Sequence, residues 1–356
     1  MKVMPKHTNS VSISRIAIFS DIHLGVHTNS GTWHKISYNW AEWFTENLRK
    51  ENIKDIVFCG DFFHNRSEIT VNTLYHAGEL LNLFQDFNIH MLAGNHDSFY
   101  KNNCSVNSIK IFEGRPNITI YDKPTLIQLG GQECFFAPWG TDIEQIEQCD
   151  ILFGHFEIES FKMNTYKMCE EGIKSENLFK KAPLIISGHF HLREERKYDK
   201  GTILYVGSPF ELDFGDENST KGFYILSLKD RTYKFYLNNI SPQHKKINLS
   251  NLIKINNFKE VGAGLLNNNF VKLVVDKNIS NQDLDKLTAK LNAFKPTNIV
   301  VDNDIAFDRL GLGEGDNVDL SGVNIEQAIA EFVDMLDIKN KKEVTDYTLH
   351  LYAQCK

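Results

Sequence analysis

Five short stretches place carboxylate, amide and imidazole side chains just after apolar runs. They are Asp21 and His23 in SDIHLG, Asp61 and His64 in GDFFHNR, and Asn95, His96 and Asp97 in GNHD. His155 in GHF and the pair His189 and His191 in GHFH complete the set. Oxygen and imidazole nitrogen without thiolate suit manganese or iron(II) better than a structural zinc. One carboxylate can bridge two cations about 3.5–4 Å apart, an arrangement that supports in-line attack of water on phosphorus. The same positive charge stabilises the transition state of that attack. A single GD after a strand is usually a turn, and one HxH pair can be a surface feature. Five tags in this order point to a two-metal phosphoester hydrolase.

Such ligands need strands to carry them. RIAIFS, DIVFCG, IHMLAG, ECFFAPW, DILFGH and LIISGH read as short buried strands ending in the tagged residues. Ligands at the C-terminal ends of strands are expected in α/β folds. Alternate residues of an extended chain face the same way, so His189 and His191 are expected to face one point. Between the strands, Trp33, Ile36, Trp40, Phe44 and Leu48 fall at helical spacing, as do Leu74, Leu81 and Phe84. The alternation predicts an α/β sandwich, and the hairpin-like ITIYDKPTLIQLGGQECFFA makes its sheets mixed.

The chain of 356 residues, 42% hydrophobic and 24% charged, has the composition of a soluble globular protein of more than one domain. No apolar run approaches a membrane span, and the polar start MKVMPKHTNSVS does not resemble a secretory leader. Six cysteines without a CxxC pair read as reduced core residues of a cytoplasmic protein. The net charge of −7 is unevenly spread: Lys and Arg against Asp and Glu number 21 to 29 over residues 1–220, 13 to 5 over 221–300, and 5 to 12 over 301–356. A basic segment between two acidic ones implies regions with different partners.

In this order the tags DxH, GDxxH, GNHD, GH and GHxH resemble those of calcineurin-like metallophosphoesterases. With DIHLG, GDFFH, GHFH and GSPFELDFGDEN…KGFY they resemble the DNA-repair branch of SbcD-type and T-even phage recombination nucleases. The resemblance implies a sandwich of mixed sheets flanked by helices, a small α+β cap and a C-terminal helical pair. It implies two Mn²⁺ ions, with Mg²⁺ or Fe²⁺ as substitutes. One would be held by Asp21, His23, Asp61 and His191, and the other by Asp61, Asn95, His155 and His189. His96 would serve the scissile phosphate and the leaving oxygen, with Asp97 orienting its ring and His64 helping to place the phosphate. The remaining histidines belong to no motif and read as surface or packing residues.

The expected organisation is a disordered extension at 1–14, a nuclease domain at 15–221 and a basic DNA-binding cap at 222–302. An acidic, glycine-rich linker at 303–321 and a helical module at 322–356 follow. In KDRTYKFY, Lys229, Arg231 and Lys234 alternate with aromatics and are the expected contacts to double-stranded DNA. Ile325, Ile329, Phe332, Val333 and Leu336 form one apolar stripe of the tail, and Val344, Tyr347, Leu351 and Tyr352 a second. The resemblance implies docking of this tail on an SMC-like coiled-coil ATPase, homodimerisation through the nuclease domain, and exonuclease action from 3′ to 5′ with possible endonuclease activity. If the gene is phage-borne, the compartment is the bacterial host cytoplasm. Two alternatives stand beside this reading: a stand-alone small-molecule phosphodiesterase, and a scaffold that binds DNA ends, against which the complete ligand set argues.

Overall fold

The computed structural model describes residues 14–254, 262–302, 329, 333 and 340–354. The chain divides into two units, Met1–Asp302 and Asn303–Lys356.

Two six-stranded mixed sheets form the body of the first unit. The first contains β1 (Arg15–Phe19), β2 (Asp55–Phe58), β3 (Asn88–Leu92) and β4 (Ile118–Tyr121), all parallel, and is extended past β1 by the antiparallel β11 (Gly222–Ser227) and β12 (Tyr233–Leu237). The second runs β5 (Thr125–Leu129), β6 (Gln132–Ala137), β7 (Ile151–His155), β8 (Leu184–Gly188), β10 (Gly201–Tyr205) and β9 (Glu194–Tyr198). Only β5 and β9, at its edges, are antiparallel to their neighbours.

Strand alternation decides which residues fill which layer. Ile16 and Ile18 of β1 pack with Val57, Phe136, Phe153 and Ile186 between the two sheets. Ala17 and Phe19 face the other way, toward helices α1 (Gly31–Lys50) and α2 (Val71–Leu83). There Trp40, Phe44, Leu48, Leu81 and Phe84 are buried as their helical spacing predicts, whereas Leu74, expected on the same face, is exposed and Leu80 is buried instead. The Phe19 ring lies 5.1 Å from both Trp40 and Phe44. Parallel strands covered on both faces explain the continuous apolar runs in the sequence. Cys59, Cys104, Cys134 and Cys169 are buried free thiols, as a core role requires. No helix among the described residues is long and apolar enough to cross a membrane.

The hairpin 222–237 corrects the expected domain boundary. The change in sequence pattern predicts that it opens the cap, but β11 pairs with β1 and completes the first sheet, with Ile18 opposite Tyr224. Phe223, Tyr224 and Leu226 are buried, so removing the hairpin would strip an inner face of the sandwich. The small domain begins at β13 (His244–Asn248), which with β14 (Phe270–Val274) and β15 (Asn298–Asp302) makes a parallel three-stranded sheet. Helix α3 (Asn281–Asn292) packs on it through Leu291, and Ser280 caps the helix by accepting from the Asp283 amide. An aromatic stack seats this domain on the body: the Trp33 ring is 5.0 Å from Phe270 and the His244 ring 4.9 Å from Phe270. His244, unassigned by motif, is buried against Glu211.

In the second unit, α4 (Lys341–Gln354) is described together with Ile329, which is half-buried, and Val333, which is buried. Ile325, Phe332, Leu336 and the expected linker lie outside the described residues. On α4, Val344, Thr348 and Tyr352 are half-buried, whereas Tyr347 and Leu351 are exposed one turn apart.

Candidate metal centre

Every sequence-predicted ligand sits at or just past the C-terminal end of a parallel strand. Asp21 and His23 follow β1, Asp61 follows β2, Asn95 follows β3, His155 ends β7, and His189 and His191 follow β8. The two sheets thus deliver their ligands to one crevice. Asp61 lies at its middle: its Oδ2 is 3.6 Å from His23 Nε2 and 3.2 Å from His155 Nε2. On one side, His23 Nε2 and His191 Nε2 approach to 3.0 Å, and Asp21 joins the same cluster. On the other, Asn95 Oδ1 lies 2.9 Å from both His155 Nε2 and His189 Nδ1.

The Asn95 side chain also approaches Asp61 Oδ2, at 3.2 Å. Buried imidazole nitrogens and carboxylate oxygens converging in two groups about Asp61 form a donor set that fits a pair of cations. The electrostatics agree. Burial holds His23 and His189 below the usual imidazole range and His191 at about 4, which keeps these rings neutral and able to ligate. Burial pushes the Asp21 carboxyl up to about 7, with His155 opposing and Asp61 adding. Burial also works against a charged His155, but the adjacent Asp61 overrides it and holds that ring at about 9. The crevice is short of positive charge, which two cations would supply.

The backbone is bent to bring these ligands in. Asp21, His23, Asp61 and His189 all have left-handed φ, at 55°, 48°, 61° and 91°. Such values are uncommon for residues other than glycine and concentrate at functional sites. They also overturn the alternation argument for GHFH. Strand β8 ends at Gly188, and the turn at His189 sends its ring toward Asn95 while His191 faces His23. The two rings are divided between the two sides of Asp61. The glycines of the GD and GN tags leave room for a candidate ligand. A Cβ on Gly94 would lie 2.2 Å from Asp61 Oδ1, and one on Gly60 2.4 Å from His155 Nδ1.

Asp97 does not orient His96. Its carboxylate is buried and accepts from the amides of Asp61, Phe62, Phe63 and Gly94 at 2.9–3.0 Å. It therefore fixes the loop that holds Asp61. The His96 ring is oriented instead by Nδ1 donating to the His64 carbonyl at 2.6 Å, which leaves Nε2 as its proton-exchanging atom. His64 Nδ1 is 3.4 Å from His23 Nδ1, so His64 and His96 border the His23 half.

Three supporting groups escaped sequence reasoning. Glu157 Oε1 lies 3.2 Å from His189 Nε2 and fixes that ring for ligation through Nδ1. The Cys59 carbonyl accepts from His155 Nδ1 at 2.7 Å and so turns that ring's Nε2 toward the crevice. Buried Lys221 donates to the His191 carbonyl, Ser208 and Asp216 at 2.6–2.8 Å, which explains why GSP, GDEN and KG occur together in the sequence. Nothing in the spacing of Glu157 marks it.

The DNA-contact residues expected in the hairpin are displaced from this crevice. Lys229 and Arg231 lie in the β11–β12 turn, beside the start of β1, where the Leu228 amide donates to the Ser14 carbonyl. Six residues of strand at a rise of roughly 3.3 Å separate Arg15 from Asp21, about 20 Å. Arg231 approaches Asp150 at the start of β7, again the end remote from His155. Lys234 lies over the Tyr236 ring on the edge strand β12, where lysine guards an open edge.

Because Asp61 is shared, Asp61→Ala is expected to lose both metals. Elemental analysis of the purified variant should find almost none, while the wild type holds two per chain; full retention of both would refute the shared carboxylate.

The calcineurin-like phosphoesterase family profile matches residues 14–202. Over 96% of its length the chain is 28% identical to Exonuclease subunit 1 of Enterobacteria phage T4, spanning 99% of that protein. It is 25% identical to the SbcD component of nuclease SbcCD from Staphylococcus epidermidis, across 61% of this chain and 66% of that one. Among solved structures, an archaeal phosphodiesterase aligns with 63% of the chain and 99% of its own length at 15% identity and a TM-score of 0.36. The profile covers every ligand of the crevice, so the chain belongs to the calcineurin-like phosphoesterase family and is a metal-dependent phosphoesterase.

Proposed function

We propose that this chain is the nuclease subunit of a manganese-dependent exonuclease acting on double-stranded DNA ends, 3′ to 5′ and with endonuclease capability, in recombination and double-strand-break repair. The observation that carries this reading is a complete seven-ligand crevice in a chain similar to a phage exonuclease subunit along nearly its whole length. Complete ligands are not needed by a scaffold. Asp21, His23, Asp61 and His191 on one side, and Asp61, Asn95, His155 and His189 on the other, would hold two divalent cations, which would supply positive charge and lower the pKa of an attacking water. Oxygen and nitrogen donors favour manganese over a thiolate-loving ion. His96 Nε2 donates a proton toward the leaving oxygen, its ring held by the His64 carbonyl. Asp97 keeps the Asp61 loop rigid during turnover.

The DNA backbone lies nearer the crevice than the 229–234 hairpin. Arg193, two residues beyond His191, lines a cavity of about 560 Å³ with Lys162, Tyr166 and Phe214. Lys246 of β13 approaches the Tyr166 hydroxyl at 3.3 Å, so the small domain closes one side. The acids there are engaged: Glu194 with Arg196, and Glu217 with the Lys246 amide. Exposed Tyr347 and Leu351 support tail docking on an SMC-like coiled-coil ATPase. Val71 and Tyr75, 84% and 62% exposed on α2, support a homodimer through the nuclease domain.

With manganese, the wild type should degrade duplex DNA, and His96→Ala should lose on the order of 10²-fold or more in kcat while keeping its metals. Metal loss parallel to activity would make His96 a ligand, and hydrolysis of small diesters without any of DNA would overturn the nuclease reading. Reversing Lys162 and Lys246 to glutamate should weaken duplex binding and lower the slope of log K against log salt by about 0.9 per lost contact. An unchanged slope would place the backbone elsewhere. Tyr347→Asp with Leu351→Asp should abolish co-purification with the ATPase, and Val71→Asp with Tyr75→Asp should give monomers in sedimentation; retained complexes would remove those faces from the interfaces.

A further inference from the structure

A second cavity, about 420 Å³, adjoins the His155 half of the centre and is lined by Lys101, Trp139, Asp142, Glu157 and Ile173 as well as His155 itself. Nothing in the chemistry described so far uses it. Its volume falls in the range of sites that hold one small ligand, ~300–1,000 Å³.

Trp139 is built into this wall with unusual care for a half-exposed residue. Its indole Nε1 donates to the Lys101 carbonyl at 2.8 Å, and its amide donates to the Ala93 carbonyl at 3.0 Å, one residue before the Gly94–Asn95 loop. The ring centroid lies 5.1 Å from His189 and 6.2 Å from His155. A Cβ on the next residue, Gly140, would lie 2.3 Å from the Asn102 carbonyl, so the 101–103 and 139–141 segments are pressed together. The opposite wall is tied as well, the Ile173 amide donating to the Glu157 carbonyl at 2.8 Å. The polar edge of the indole is thus satisfied within the protein, and a rigid aromatic surface beside two ligand rings is left for something apolar and flat. Lys101 adds a cation at the same wall, and its loop also exposes Phe99 and Tyr100.

We propose that this cavity is a nucleobase subsite, in which Trp139 stacks on the base of the nucleotide whose phosphate occupies the metal centre. The proposal rests on the nuclease reading and adds to it a residue that selects nucleotides over other phosphodiesters. Every base has a π-face, so stacking of this kind accepts all four and confers no sequence preference.

The test compares two chromogenic esters with the same leaving group, thymidine 5′-(p-nitrophenyl phosphate) and methyl p-nitrophenyl phosphate, using the full chain loaded with manganese. The wild type should prefer the thymidine ester. Stacking worth about 1–3 kcal/mol per base corresponds to roughly 5- to 150-fold. In Trp139→Ala the ratio of kcat/KM for the two esters should fall by that order, carried by KM, and Trp139→Phe should restore most of it. A ratio unchanged in Trp139→Ala overturns the subsite whatever the absolute rates, because mere packing against His189 would lower both alike. A wild type that cleaves duplex DNA without preferring the nucleoside ester overturns the subsite alone; one that cleaves neither DNA nor the nucleoside ester but hydrolyses the methyl ester overturns the nuclease reading.

Discussion

Asp61 lies between both halves of the centre, and its position is fixed by the buried Asp97 carboxylate and by the His96 amide. Its own amide donates to Asp97, its Oδ1 accepts the His96 amide at 2.8 Å, and its Oδ2 is left between His23 and His155. Asp21 and Asp97 are buried beside it, so three carboxylates share one interior region. A buried carboxylate is costly unless compensated. Asp97 accepts from four amides, whereas Asp61 accepts the His96 amide and Asp21 the His189 amide, and each keeps lone pairs toward the histidines of the crevice. The structure therefore separates a carboxylate spent on the backbone from two that remain candidates for metal, although all three stand in similar GD, SD and HD contexts in the sequence.

This separation marks the limit of what the sequence discloses. Residue types at strand ends identify the ligands, because few other arrangements explain Asp, Asn and His repeatedly following buried strands. The helices α1 and α2 are equally legible, since Trp40, Phe44 and Leu81 recur at the spacing of one buried face. What is not legible depends on φ. The left-handed turn at His189 breaks the alternation that made His189 and His191 look like neighbours on one face. Asp97 looks like a partner for the adjacent His96 ring, but three of its four amide contacts lie 34–36 residues back in the chain. Lys229, Arg231 and Lys234 form a persuasive basic and aromatic string, yet the register of β11 on β1 carries two of them to the wrong end of the sheet.

The boundary error has a related cause. The sequence changes character after residue 221, and charge and composition both suggest a new domain. Pairing, however, is decided by which edge needs a partner. β1 would otherwise be an open edge with apolar residues on both faces, and β11 covers it. The small domain then follows the hairpin and leans on Trp33, near the start of α1, only a few residues beyond Asp21 and His23. His27, between them, stacks on Trp33 and contacts the Leu212 carbonyl. The loop bearing the first ligands and the seat of the small domain are consequently one piece of structure.

Completion of the first sheet by β11 and β12 also governs how the chain emerges during synthesis. The strand that starts the sandwich, at residue 15, meets its outer neighbour only when residues 222–237 have left the ribosome. Between residue 191, where the set of candidate ligands is complete, and residue 222, that edge stays unpaired in the nascent chain. Contacts of such sequence separation are slow to form. A product that ended before residue 222 would carry every candidate ligand and yet present an open strand edge with apolar residues on both faces.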